Sequence, residues 1–202
     1  MSETVRTFVA LAPGPEQRAA IASAVRRARR TRPERARRFR WNDPATAHLT
    51  LAFLGEVQRA RGDELVRTVA EVAQRHAPFP WAFGDAGAFP SADRVRVAWI
   101  GLRTGEAATR ALAADLAATL ASAGWTLDER PFHPHLTVAR ARGRPEPGLP
   151  IDAAVTPAAL VTEVVVMTSR LASDGARHTP LAHLPMAGSA GAAGSPDGAG
   201  PA

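Results

Sequence analysis

The hydrophobic positions change period several times along the chain, and each change marks an element. Residues 4–11, Thr-Val-Arg-Thr-Phe-Val-Ala-Leu, read as a strand. Pro13-Gly14-Pro15 ends it and places a proline at the opening of a helix. In that helix Ile21, Val25 and Ala28 recur at helical spacing, while Arg18, Arg26, Arg27, Arg29 and Arg30 fill the other faces. A strand over about Ala47 to Leu54 is expected to end at Gly55. Glu56 to His76 then carries Val57, Leu65, Val69 and Val72 in a helical pattern with acidic residues early. Proline-marked strands are predicted near Phe79 to Phe83 and Val95 to Leu102. Glu106 to Ala123 is an alanine-rich helix with Leu112, Leu116 and Leu120 four apart, closed by Gly124. Beyond it come a strand around His135, a turn-rich stretch from Arg140 to Pro150, and strands over Val161 to Met167 and Thr179 to Leu184. From Ala187 to Ala202 the chain is Ala, Gly, Ser, Pro and one Asp, which offers nothing to bury and is expected to be disordered.

Two of the predicted strands carry the same polar pattern, His48-Leu49-Thr50-Leu51 and His135-Leu136-Thr137-Val138. Alternation along a strand puts His48 and Thr50 on one face and Leu49 and Leu51 on the other, and the second stretch repeats this. One such triplet carries little weight; the repeat, half a domain away, allows two similar lobes to present two histidines across a shared cleft. The pattern therefore predicts an α+β fold of two pseudo-symmetric lobes, each an antiparallel sheet with outer helices, and a central cleft carrying both His-x-Thr motifs. Residues 1–186 form this single bilobal domain and 187–202 its tail.

Composition adjusts the picture at the edges. At 202 residues and 46% hydrophobic, the chain can bury one substantial core. No apolar run is long enough to span a bilayer, and no basic-then-apolar leader follows Met1, so an untargeted protein away from membranes is expected. Without cysteine there are neither disulfides nor thiolate metal sites, which suits the cytoplasm. The net charge is +6 and all 25 basic residues are Arg. Arginine's planar fork suits phosphate, but an Ala-, Arg-, Gly- and Pro-rich composition also reads as genome-wide bias, so charge alone does not establish a nucleic-acid partner. The run from Arg29 to Arg40 is either a solvated face or loop, or a rim for RNA phosphates.

The flanks make the repeat more specific. Trp41-Asn42-Asp43-Pro44 leads into the first motif, and Arg130-Pro131-Phe132-His133-Pro134 into the second, with Ala139-Arg140 after it. These stretches resemble the two signature motifs of the 2H phosphoesterase superfamily, in particular its bacterial and archaeal RNA 2′,3′-cyclic phosphodiesterase branch, the LigT/ThpR type. Gly87-Ala88-Phe89-Pro90-Ser91 and Arg94 to Leu102 are similar to that branch's middle segment. The resemblance runs from about Val5 to Leu184.

It implies hydrolysis of RNA 2′,3′-cyclic phosphate ends to 2′-phosphomonoesters, with His48 as proton donor and His135 as proton acceptor, and reverse 2′-5′ RNA ligation by the same groups. Two imidazoles titrating near neutral pH can serve as acid and base together. Thr50 and Thr137 can donate to the phosphoryl oxygens, and Arg130 and Arg140 are candidates for a phosphate clamp. The expected partner is an RNA or oligonucleotide with a 2′,3′-cyclic phosphate end, met by a monomer with no cofactor. His133, His135 and His48 could also be drawn as a metal site, but no carboxylate or thiol stands nearby at ligand spacing, so none is expected. His76, His178 and His183 are read as ordinary histidines. Phe39, Trp41 and Phe89 are possible platforms for a base. The family often has a tyrosine after a glycine in the final strand region, where this chain reads Gly175-Ala176-Arg177-His178 and has none. Two alternatives stay open: a related phosphoesterase acting on a small cyclic nucleotide or 2′,5′-oligonucleotide, and a non-catalytic RNA- or nucleotide-binding module.

Overall fold

The computed structural model describes residues 3–128, 130–172 and 175–188. The described strands are β1 (Thr4–Leu11), β2 (Phe39–Trp41), β3 (Leu49–Gln58), β4 (Phe79–Phe89), β5 (Val97–Thr104), β6 (His135–Ala141), β7 (Ala159–Val161), β8 (Glu163–Ala172) and β9 (Gly175–Pro185). The helices are α1 (Pro15–Thr31), α2 (Pro33–Arg37), α3 (Gly62–Arg75) and α4 (Glu106–Ser122), with single 3₁₀ turns at Pro44–Thr46 and Arg59–Arg61. The strands hydrogen bond in the order β7-β4-β5-β6-β3-β1-β8-β9, with β2 also on β6, and every pairing is antiparallel. The expected α+β architecture is present.

The two halves of this sheet meet at one residue pair, Leu49 of β3 with Leu136 of β6. From there β3 follows β1, while β6 follows β5 and then β2, so the sheet opens into two lobes. The joint sits at the centre of both His-x-Thr motifs.

The helices are exchanged between the lobes. In β1-α1-β3 the strands belong to one lobe, but α1 lies on the other: Ile21 and Val25 line a small cavity together with Leu136 and Val138 of β6. Gln17 of α1 is fully buried, and its amide donates to the carbonyls of Trp81 and Pro157, both at 3.1 Å. Its side-chain oxygen accepts the Gly14 amide, so this buried polar group is satisfied. In β5-α4-β6 the reverse happens, with α4 packing on β3 and on α3. Leu112, Leu116 and Leu120 are fully buried there, as their spacing predicts.

Some boundaries differ from the sequence reading. Gly55 does not end β3: it takes φ 71° opposite Thr7, where the register with β1 slips, and the strand runs on to Gln58. A residue without Cβ lets the chain form this bulge without strain. Val57 is therefore a buried strand residue, and the helix begins at Gly62. Strand β4 extends to Phe89, because Ala86 to Phe89 pair with Val97 to Ile100. The β8–β9 hairpin is longer than its apolar stretches, since polar Thr168, Ser169, His178 and Thr179 are held by ladder bonds. The basic run forms the end of α1, α2 and β2. Its Arg32 pairs with Asp152 at 2.9 Å, Arg35 donates to the Pro147 carbonyl at 2.8 Å, and Arg38 pairs with Glu146 at 2.9 Å. These arginines pin the 146–152 loop. At the other end Met186 is buried, and the Gly188 amide donates to the His76 carbonyl at 3.1 Å, so the chain is still anchored two residues into the expected tail. Residues 189–202 lie outside the described residues. Among the described residues no helix is long and apolar enough to cross a membrane.

Candidate active site

Antiparallel pairing of Leu49 with Leu136 places His48 opposite Thr137 and Thr50 opposite His135. Leu49, Leu51, Leu136 and Val138 are buried on the core face, while His48, Thr50, His135 and Thr137 are half-buried on the other. The two histidines are held in the same way. The Nδ1 of His48 is 2.9 Å from the carbonyl oxygen of Thr46, and the Nδ1 of His135 is 2.7 Å from that of His133. A carbonyl only accepts, so each Nδ1 carries the proton and each Nε2 is left to exchange one with a substrate.

The sequence before each histidine explains its carbonyl. The Asp43 side chain accepts the Ala45 amide at 2.9 Å and opens the 3₁₀ turn that delivers Thr46. Asn42, next to it, ties the first motif to the second: its side chain donates to the Thr137 carbonyl at 3.0 Å and its amide to the Val138 carbonyl at 2.9 Å. This cross-link was not apparent from the motif residues alone.

Aromatic rings enclose both imidazoles. Phe8 lies 4.9 Å and His178 5.0 Å from the His48 ring. Phe89 stands edge-on to His135 at 4.9 Å, with Trp99 and His133 farther off, each at 6.1 Å. This burial pushes both histidines below their ordinary pKa; the carbonyl bond at Nδ1 opposes the shift, and the positive charge of Arg140 adds to it. Arg140 thus acts on both members of the pair. It keeps contact with solvent, yet the protein packed about its guanidinium, followed by repulsion from Arg40, Arg130 and Arg6, lowers its own pKa. No carboxylate partners Arg140 among the described residues. Arg130 differs: its Nε lies 2.9 Å from both Asp128 oxygens, its Nη2 also contacts Asp128, and the pair holds that carboxyl at about 2.

The chain and its fold have counterparts among known proteins. Residues 15–171 match the model of the 2′-5′ RNA ligase superfamily. The chain belongs to that superfamily. A curated RNA 2′,3′-cyclic phosphodiesterase of Geobacillus stearothermophilus is 33% identical over 162 residues, 78% of this chain and 49% of that protein. One from Escherichia coli K12 is 35% identical over 138 residues, 66% of this chain and 72% of that protein. The chain spans about half the length of several of the curated relatives it matches. The crystal structure of E. coli LigT complexed with 3′-AMP superposes with a TM-score of 0.71 at 32% identity, covering 91% of this chain and 99% of that one.

Of the residues predicted for the site, His48, Thr50, His135 and Thr137 share one face about the Leu49–Leu136 pair, Arg140 lies close enough to act on both histidines, and Arg130 is exposed and paired with Asp128. Phe39 is no platform for a base, because it is fully buried in the core. Trp41 is half-buried with its indole N–H donated to the Ala36 carbonyl, and Phe89 is half-buried between Trp99 and the ring of His135. His76 and His183 bond to Asp115 and Glu163 outside the cleft. His178, expected to be an ordinary histidine like them, lies instead against His48, in the Gly175–His178 stretch where the family often has a tyrosine. Among the described residues no three His, Asp or Glu side chains converge as metal ligands.

Proposed function

We propose that this protein hydrolyses the 2′,3′-cyclic phosphate ends of RNA to 2′-phosphomonoesters, with His48 as general acid and His135 as general base. The observation that carries the reading is the matched tethering of the two imidazoles, which leaves two Nε2 atoms, one per lobe, free for proton transfer. Water attacks phosphorus as His135 Nε2 takes its proton; the bond from phosphorus to the 3′ oxygen breaks, and His48 Nε2 protonates that oxygen. The products are a 2′-phosphomonoester and a 3′-hydroxyl, and exchange with solvent resets the two protons. Thr50 and Thr137 donate to the non-bridging oxygens, where fixed donors stabilise developing charge. Arg140, facing both histidines, holds the phosphate, and Arg130 assists from the rim. A 5′-hydroxyl in the place of water gives a 2′–5′ linkage by the same transfers. Residues 1–186 act as one catalytic unit in this reading, since each lobe supplies one histidine, and the protein works as a cytoplasmic monomer. The relatives named as RNA 2′,3′-cyclic phosphodiesterases support the choice of substrate.

The test is turnover of an oligoribonucleotide ending in a 2′,3′-cyclic phosphate, with EDTA present throughout. His48→Ala and His135→Ala should each lower kcat by about 100-fold or more, the usual worth of one general acid or base, with the thermal transition retained. A loss of less than about threefold in either variant lies far outside that range and refutes the pair mechanism.

A further inference from the structure

His178 stands in the site with no task assigned to it. It lies on β9, its Cα paired with Ser169 of β8, which pairs in turn with Arg6 of β1. Its ring meets that of His48 edge-on at 5.0 Å and 78°, and that of Phe8 at 5.1 Å and 86°. The two-ring contact orients the imidazole, and it does so around the histidine proposed to protonate the leaving oxygen. Its Nδ1 is buried and has no hydrogen-bond partner among the described residues. The ring is only half-buried and Nδ1 is its buried nitrogen, so Nε2 is the nitrogen left for a partner from outside, beside the ring of His48.

Those contacts decide the state of the ring. A buried N–H with no acceptor is costlier than an unused lone pair, so the single proton of neutral His178 sits on Nε2. A second proton could go only to Nδ1, where nothing accepts it. Burial lowers the pKa of His178, with His48 and Arg6 adding to the effect, in agreement with that assignment.

We propose that His178 is a third imidazole of the reaction, a fixed neutral donor whose Nε2–H binds a non-bridging oxygen of the cyclic phosphate on the His48 side of the cleft. Neutrality is the useful property. A cationic donor at this position would repel the proton that His48 must hold, whereas a neutral N–H contacts the anionic oxygen without competing for it. His178 therefore adds to the two threonines a donor that comes from the end of the chain. The inference rests on the proposed hydrolysis at His48 and His135.

Three variants of the full chain test it: His178→Phe, which keeps a ring against Phe8 and His48 but has no donor; His178→Gln, which keeps a side-chain N–H; and His178→Ala. Thermal stability, kcat and KM on the cyclic-phosphate oligonucleotide, and calorimetric affinity for adenosine 2′-monophosphate are measured for each. His178→Phe should keep the wild-type transition while kcat/KM falls about 10- to 100-fold, below the full worth of an oxyanion donor because Thr50 and Thr137 remain. His178→Gln should stay within about fivefold of wild type, as its amide restores the hydrogen bond. An active His178→Phe, or a His178→Gln as impaired as His178→Phe at equal stability, overturns the donor role. A wild type inactive on the oligonucleotide would instead count against the proposed function; the affinity comparison then decides the inference, which fails if His178→Phe binds adenosine 2′-monophosphate as wild type does.

Discussion

Gly87 lies under Trp99, and Trp99 borders the aromatic wall around His135, so one added methyl at Gly87 perturbs the site without touching a group that moves protons. A Cβ built on Gly87 would lie 2.2 Å from both Cη2 and Cζ2 of Trp99, and 2.7 Å from Cε2. Carbon atoms pack at about 3.5–4.0 Å, so the indole must retreat by more than about 1 Å. Gly87 has no positive φ, so alanine suits the backbone and the whole cost falls on the ring. Overpacking costs about 1–3 kcal/mol, and because Trp99 is half-buried and can swing outward, the lower part of that range applies. Swinging withdraws the indole from His133, now 4.7 Å away, and from Phe89 at 5.4 Å. Gly87→Ala should lower Tm by about 2–8 °C, the shift that about 1–2 kcal/mol gives in a chain of this size. Trp99 reaches His135 chiefly through Phe89, so kcat should fall by no more than about 10-fold, less than the roughly 100-fold that misplacing a catalytic group itself by about 1 Å can cost. The assay is a double-mutant cycle with Trp99→Leu, reading Tm and turnover of the cyclic-phosphate oligonucleotide. In the Trp99→Leu background the methyl has room, and Gly87→Ala should cost little. Equal effects of Gly87→Ala in both backgrounds would refute the reasoning, because the methyl would then not act through the indole.

Because both histidines titrate below their ordinary value of 6.5, the state with one protonated and one neutral imidazole is most populated below that pH, and kcat/KM should peak there; a maximum above neutrality would contradict the assignment. The same shifts have a sign for stability: the unfolded chain binds protons more readily, so stability should fall as pH drops from about 6.5 towards the lowered values, and thermal melts of His48→Ala should show a smaller fall. Thr50→Val and Thr137→Val keep shape but remove a donor, and each should reduce kcat about 10- to 1000-fold with little change in KM, as single-turnover and steady-state rates together will show. Arg140→Gln should raise KM, flatten its dependence on salt by about one counterion, and leave stability equal or higher because repulsion from Arg40, Arg130 and Arg6 is relieved; Arg130→Gln, already neutralised by Asp128, should flatten it less.

Short-range periodicity determined a good part of this protein. Alternation over two residues put Leu49 and Leu136 in the core and His48, Thr50, His135 and Thr137 on the opposite face, because a strand's geometry leaves no other choice. The spacing of Leu112, Leu116 and Leu120 likewise settled which side of α4 is buried. Strand ends were less legible: Gly55 signals a special backbone conformation in the sequence, but whether that conformation ends a strand or bulges it depends on the partner strand β1. What the tertiary structure alone decided is which segments meet. The exchange of α1 and α4 between lobes leaves no local trace, since each helix needs only an apolar surface and either sheet offers one. Arg38 and Arg130 looked like cations for phosphate until folding and a turn brought Glu146 and Asp128 to them, whereas Arg140 emerged among like charges. His178 is the plainest case. Its neighbours in sequence say nothing of His48, and the contact arises because β9, β8 and β1 lie side by side in the sheet and carry a residue from the end of the chain to the first motif.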